Sequence, residues 1–259
     1  MNTRIIELVS NASFDVYPEN SLSAFSNLLS DSIELSGQWE VALAEITYPS
    51  LYNNITDEKF TFVYQRVGPD NKLWDHEKMQ LPTGMYNSLD DIIQKIREAS
   101  SKIRPKRKMS LKAKVINMSG LVELTLDKDQ ALIVDSDDLS SILGIPRLQP
   151  IPFGHPTKYV GKFPVDFVRI HSVMVYADIV EYDIVGDTKA PLLRSFPFKH
   201  NTHANPTMSS TSFDQLQFRK LSRHNFHSIR IELRTPTGEL IPFKAIGTTR
   251  IVLIFRKFE

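Results

Sequence analysis

The chain has 259 residues, with 31 basic and 30 acidic side chains and no cysteine. That length can bury one large core or two small ones. A formal charge of +1 excludes a global field for nucleic acid or an acidic membrane, and the missing thiols exclude disulfides, thiolate metal sites and a cysteine nucleophile.

Behind the initial Met-Asn-Thr-Arg, the apolar run 5–9 is too short for a signal-peptide core or a membrane span, so a soluble chain without a secretory signal is expected. Segments 39–47 and 60–63 are rich in β-branched and aromatic residues between turn formers, and both are predicted strands. In "YNSLDDIIQKIREASSK", Leu89, Ile92, Ile93 and Ile96 fall at helical spacing, and Ser88 with Asp91 is placed as a capping box. A helix of about three turns is predicted. A basic loop follows, then a hairpin around 117–120 joining 111–116 to 121–126, then a short helix from about 137 to 143 closed by Gly144 and Pro146. Proline density from 146 to 164 marks the exit from this block. Residues 68–160 therefore read as a small α+β insertion in a β core made of residues 1–67 and 161–259.

Beyond it, 167–180 is apolar in both registers, which predicts a central strand covered on two faces. The run then breaks into Gly-Asp-Thr and Ala-Pro before apolar residues return. The polar stretch 200–212 is expected to be a loop. In 228–233, Ile229, Ile231 and Leu233 alternate with Arg230 and Glu232, so one face is buried and one wet. Residues 235–238 are a predicted turn and 248–255 a last strand. The fold class is mainly β, with the patterning of a sandwich.

Chemistry-bearing motifs are sparse. The chain has no Gly-rich phosphate loop, no G-x-S-x-G elbow and no H-E-x-x-H, so no enzyme, no catalytic residue and no cofactor is expected. The pairs His200/His203 and His224/His227 have metal-ligand spacing, but they sit in loop-like sequence without a carboxylate or Cys ligand; solvated histidines and no metal are expected. The run Lys102, Arg104, Lys106, Arg107, Lys108, Lys112 and Lys114 could touch phosphates. Without interleaved aromatics a solvated hairpin approach is the better reading. Asp90/Asp91 and Asp137/Asp138 read as helix-start charges rather than a catalytic pair.

Three blocks, "LSGQWEVALAEITYP" (35–49), "VYADIVEYDIVGDTKAPLLRSFP" (175–197) and "IRIELRTPTGELIPFKAIGTTRIVLIFRK" (229–257), in this order and spacing, resemble the penton-type minor capsid proteins of Polinton/Maverick elements and the related adintoviruses. The likeness spans nearly the whole chain, and "MYNSLDDIIQKI" with "LSSILGI" looks like the inserted helix and hairpin region of those proteins. The resemblance implies a jelly-roll β-sandwich with an α+β insertion. It also implies a structural role, as a homopentamer at the five-fold vertices of an icosahedral virion capsid, beside a double jelly-roll major capsid protein. The enclosed genome would be double-stranded DNA, in at most weak contact with this protein. Such a protein is made soluble inside the host cell and has no membrane partner. On this reading Gly186-Asp187-Thr188 and Ala190-Pro191 form a loop between two strands, Asp187 can bond nearby amides, and Arg194 can pair across a subunit boundary. The competing reading is a β-sandwich receptor- or carbohydrate-binding module using Tyr52, Trp74, Tyr86 and Tyr159.

Overall fold

A computed structural model describes residues 3–56, 59–67, 72–103, 109–127, 130–148, 157–199 and 208–258, with the backbone alone at 62–67, 72–74, 103 and 157. The elements in chain order are β1 (Thr3–Val9), β2 (Ala24–Glu34), β3 (Trp39–Pro49), β4 (Lys59–Val67), β5 (Lys72–Gln80), α1 (Leu89–Ile103), β6 (Lys112–Val115), β7 (Leu121–Leu126), β8 (Gln130–Val134) and α2 (Asp137–Leu143). They continue with β9 (Thr157–Pro164), β10 (Ser172–Ala177), β11 (Asp183–Val185), β12 (Thr188–Ala190), β13 (Leu192–Pro197), β14 (Met208–Ser212), β15 (Arg219–Lys220), β16 (Asn225–Arg234) and β17 (Arg250–Lys257). The chain divides into two compact units, Met1–Tyr52 with Ile170–Glu259, and Asn53–Arg169.

In the first unit one sheet runs β1-β17-β3-β14, with β15 also on β3, and the other runs β13-β10-β16-β2. All pairings are antiparallel. Along the chain, β1, β2, β3 and β10 alternate between sheets, as do β13, β14, β16 and β17. This two-layer winding is a jelly roll. Its core follows the period-2 pattern: Val173 and Val175 on β10, Ile229, Ile231 and Leu233 on β16, and Ile251, Leu253 and Phe255 on β17 are all buried. On β3 the phase must change, since Val41, Leu43, Ile46 and Tyr48 all enter the same core. A bulge opposite Val252/Leu253, where Glu45 and Leu43 are successive partners, supplies the extra residue.

The observed β10 is shorter and less covered than predicted from 167–180. Asp166 Oδ1 accepts the Val168 and Arg169 amides at 2.9 and 3.2 Å, and Arg169 takes a φ of 51°, so the chain is turned before the strand begins. Burial alternates along the six residues, with Met174 and Tyr176 half-exposed. Strands β1 and β2 went unforeseen because neither alternates cleanly. In β2 the partners jump from Leu28 to Ile33 while β16 advances only from Ser228 to Phe226, a bulge that breaks the period. Of the expected loop 200–212, residues 200–207 lie outside the described residues, and Met208–Ser212 form edge strand β14.

The second unit holds the sheets β5-β4-β8 and β6-β7-β9. Strand β4, read from sequence as part of the β core up to residue 67, pairs with β5 and β8, so the boundaries fall at 52/53 and 169/170 rather than at 67/68 and 160/161. Helix α1 runs to four turns, and Ser88 Oγ accepts the Asp91 amide at 3.1 Å as its cap. Leu89, Ile92, Ile93 and Ile96 join a core with Leu124, Leu132 and Ile142. Helix α2 has the predicted bounds. It is capped by Ser136 at its start and ended by Gly144 at a φ of 64°, where an added Cβ would lie 2.1 Å from the Phe163 carbonyl oxygen.

Candidate functional site

At the end of β10 the chain leaves its sheet. Asp178 Oδ1 accepts the Arg230 amide at 2.8 Å and Oδ2 pairs with Arg223, which pins the exit to β16. Segment 183–190 then folds back as a small hairpin, β11 against β12. Thr188 and Ala190 are therefore strand residues and not a loop, and only Gly186 and Asp187 form the turn. Gly186 has a φ of 64° and Asp187 is not in the positive-φ region, the signature of a type II′ turn, whose first position suits glycine. Asp187 is exposed at the tip and takes part in no hydrogen bond or ion pair among the described residues.

The hairpin walls a cleft of about 480 Å³ on the outer face of β10 and β16, lined by Tyr176, Asp178, Tyr182, Lys189, Arg230, Glu232 and Arg234 among others. Its floor is a ladder of outward residues on β16. Glu232 Oε1 receives the Arg230 guanidinium at 2.9 Å and Oε2 the Arg234 guanidinium at 2.7 Å. Burial pushes the Glu232 carboxyl up, but the hydrogen bonds and positive charge of Arg234 and Arg230 prevail and hold it below its ordinary value of 4.5. Tyr176, paired in register with Glu232, has its phenol pushed up by burial, partly offset by Arg234.

Arg194 lies on β13, an edge strand. Its guanidinium stacks 3.8 Å from the Phe213 ring centroid and donates to the Gln215 carbonyl at 2.9 Å. Burial lowers its pKa from 12.5. The side chain thus closes the flank formed by β13 and β14, where Lys199 Nζ also donates to the Ser210 carbonyl at 2.8 Å. At the opposite flank Asn27 bridges the sheets through both the amide and the carbonyl of Val9, each at 2.9 Å. The edge of β2 is covered there by Asn20 and Ser13, which bond the Ser26 and Leu28 amides at 2.8 and 3.0 Å. An edge occupied by side chains cannot accept another strand.

The second unit brings together residues that the sequence reading did not single out as a group. Asn54 donates to the Tyr86 and Phe167 carbonyls at 2.8 and 2.9 Å and accepts the Tyr86 amide at 2.8 Å. Asp138, read as a helix-start charge, also accepts the Thr56 amide and hydroxyl at 2.6 and 2.7 Å and pairs with Arg169. Residues that open the unit are thereby tied to those that close it. No spacing in the sequence announces this, because its members are up to 115 positions apart.

Of the basic run, Arg104, Lys106, Arg107 and Lys108 lie outside the described residues, and Lys114 is paired with Glu123 at 3.2 Å. His200 and His203 also lie outside them, while His224 and His227 are exposed. Among the described residues no group of three or more His, Cys, Asp or Glu could hold a metal ion. The aromatics of the binding-module reading are poorly placed for it. Tyr52 is buried edge-on against Phe198, Tyr86 is buried with its hydroxyl on the Pro82 carbonyl, Tyr159 is half-buried, and the Trp74 side chain lies outside the described residues.

These features define a mainly β protein, a jelly roll carrying a second α+β unit between two of its strands. No protein-family model matches the chain, and no curated protein does. Among solved structures it is similar in fold to the selenomethionine-labelled mavirus penton protein, with a TM-score of 0.50 and 10% identity, covering 100% of both chains.

Proposed function

We propose that this protein is a structural, non-enzymatic penton of the Polinton/Maverick and adintovirus kind. It would occupy the five-fold vertices of an icosahedral virion as a homopentamer, beside a double jelly-roll major capsid protein. The observation that carries this reading is the fold likeness to a penton protein, which covers 100% of both chains. A five-fold ring needs two different surfaces on each subunit, and the two flanks of the sandwich differ in character. Beside β1 and β2, Ile5, Phe14, Val16 and Leu28 are exposed, and Asp15, Glu19, Asp31 and Glu34 have no ion pair among the described residues. Beside β13 to β15, Lys199 and Lys220 are exposed. An apolar, acidic flank meeting a basic one gives each contact both packing and a preferred orientation. Asp187, at the hairpin tip, is free to join such a contact, whereas Arg194 would act there by holding the flank in shape.

Contact with packaged DNA is weak on this reading, since the net charge is +1 and a lysine of the basic run is already paired. Among the described residues no helix is long and apolar enough to cross a membrane. Native mass spectrometry across concentration, followed by co-assembly with the cognate major capsid protein, tests the proposal. A five-subunit mass, alone or in the shell, is expected. A monomer or dimer that stays excluded from assembled shells would refute the assignment.

A further inference from the structure

We propose that the cleft between the β11–β12 hairpin and the outer face of β16 binds a carboxylate-bearing sugar ring. The volume of about 480 Å³ suits a ligand of one or two rings. Its charge is unbalanced. Glu232 alone offsets both Arg230 and Arg234, and Asp178 is already neutralised by Arg223. Lys189, exposed on the hairpin, has no partner among the described residues. Two positive charges therefore remain to meet an anion, and Arg230, whose Nε and Nη2 already meet Glu232 Oε1, keeps its Nη1 side to donate to a carboxylate.

The walls add a second requirement. Tyr176 rises from the sheet, and Tyr182, 67% exposed, stands beside the hairpin. Two phenols bounding an open, charged floor suit a ring with apolar faces and a polar rim, because ring faces pack on aromatic faces while hydroxyls reach fixed donors and acceptors. Among the described residues the Tyr176 hydroxyl hydrogen-bonds only the Met174 sulfur, at 3.6 Å, and so keeps most of its hydrogen-bonding capacity. A bare inorganic anion would use the cations and leave both tyrosines idle. A neutral sugar would use the tyrosines and leave the excess charge unmet.

The full chain is titrated with methyl β-glucuronide and methyl α-sialoside, with methyl β-glucoside and inorganic phosphate as controls, by saturation-transfer NMR and calorimetry. At least one carboxylated sugar is expected to bind with its ring protons saturated. Lys189→Glu and Arg230→Gln should each weaken that binding by about tenfold, the effect of one lost charge-assisted contact. The Lys189 side chain makes no hydrogen bond or ion pair among the described residues, so its variant reads the site with little disturbance to the fold. Equal affinity for the glucoside, equal affinity for phosphate, an unchanged affinity in Lys189→Glu, or no binding of either carboxylated sugar would each overturn the proposal. None of these outcomes depends on subunit number, so the site and the penton assignment stand or fall separately.

Discussion

The two units hold themselves together by different means. Among the described residues of the jelly roll, 27 buried hydrophobic residues form a single cluster, and buried polar contacts, such as the Thr249 amide on Ser10 Oγ and Ser23 Oγ on the Ile241 carbonyl, supplement the pairing of strands. In unit Asn53–Arg169 the ends of the segment are joined by polar groups that are themselves largely withdrawn from water: Asn54 and Asp138 are 2% and 8% exposed. The difference follows from connectivity. A jelly roll is closed by pairing of strands remote in sequence, as β1 on β17 and β3 on β17. A unit inserted into a loop has both ends of its chain at neighbouring positions, and something must join them for the segment to hold its shape.

The sharpest test of this division removes one side of it. Each unit has its own hydrophobic cluster, so replacing Asn53–Arg169 with a short Gly-Ser linker should leave the jelly roll folded, with one cooperative transition. A product wholly unfolded by circular dichroism and proton NMR would end the idea of two units. Folding retained with assembly lost would place a capsid contact on the removed unit.

Within the intact chain, Leu253→Ala should have the next largest effect. Leu253 is fully buried and paired at the β3 bulge, where the core has little freedom to collapse; a loss of about 2–5 kcal/mol is expected from denaturant titration. Asp138→Ala should cost about 2–3 kcal/mol, because it leaves the Thr56 amide without its acceptor and Arg169 without its carboxylate, while the partial exposure of Arg169 and its bond to the Asn54 carbonyl moderate the penalty. Hydrogen exchange separates the two variants. Leu253→Ala should deprotect β3 and β17, and Asp138→Ala should deprotect α2 and β8; the reverse pattern would contradict separate cores. Smaller again is Arg194→Met, which keeps the bulk of the side chain but loses the stacking on Phe213, about 0.5–1 kcal/mol. A variant as stable as the parent would show that the flank is closed by packing alone.

The sequence shows one kind of order well and another hardly at all. Helix α2 could be placed closely because its signals, the first-turn acids Asp137 and Asp138 and the closing Gly144, are all local. Strand β16 was visible because one face is buried and the other wet, and β17 because β-branched and aromatic residues are concentrated there. The Arg230-Glu232-Arg234 ladder was half visible: alternation shows that Arg230 and Glu232 share a face, but not that Arg234 completes a bridge or that a hairpin walls it. The Asn54–Asp138–Arg169 clasp was invisible, because hydrogen bonds between distant positions leave no period. The insertion boundaries were misplaced for a related reason. Segment 59–67 has the composition of any half-buried strand, and only its partners reveal that it belongs to the second unit.

The smallest effect is the most specific to one face. Glu232 is half-buried between two arginines whose hydrogen bonds and charge outweigh the burial penalty, so its folded pKa lies below 4.5. A carboxyl depressed on folding contributes stability that is fully present above its unfolded value and is lost as pH falls through the folded one. Melting temperature followed from neutral pH down the acid limb should therefore show the parent above Glu232→Gln at neutral pH, with the gap narrowing below about pH 4.5 as the parent carboxyl takes up its proton and comes to resemble the amide. The narrowing should persist when Asn53–Arg169 is replaced by a linker, since every partner of Glu232 lies in the jelly roll. Curves that stay parallel into acid would mean that Arg230 and Arg234 do not hold the charged form, and the unbalanced cleft argued from them would lose its footing.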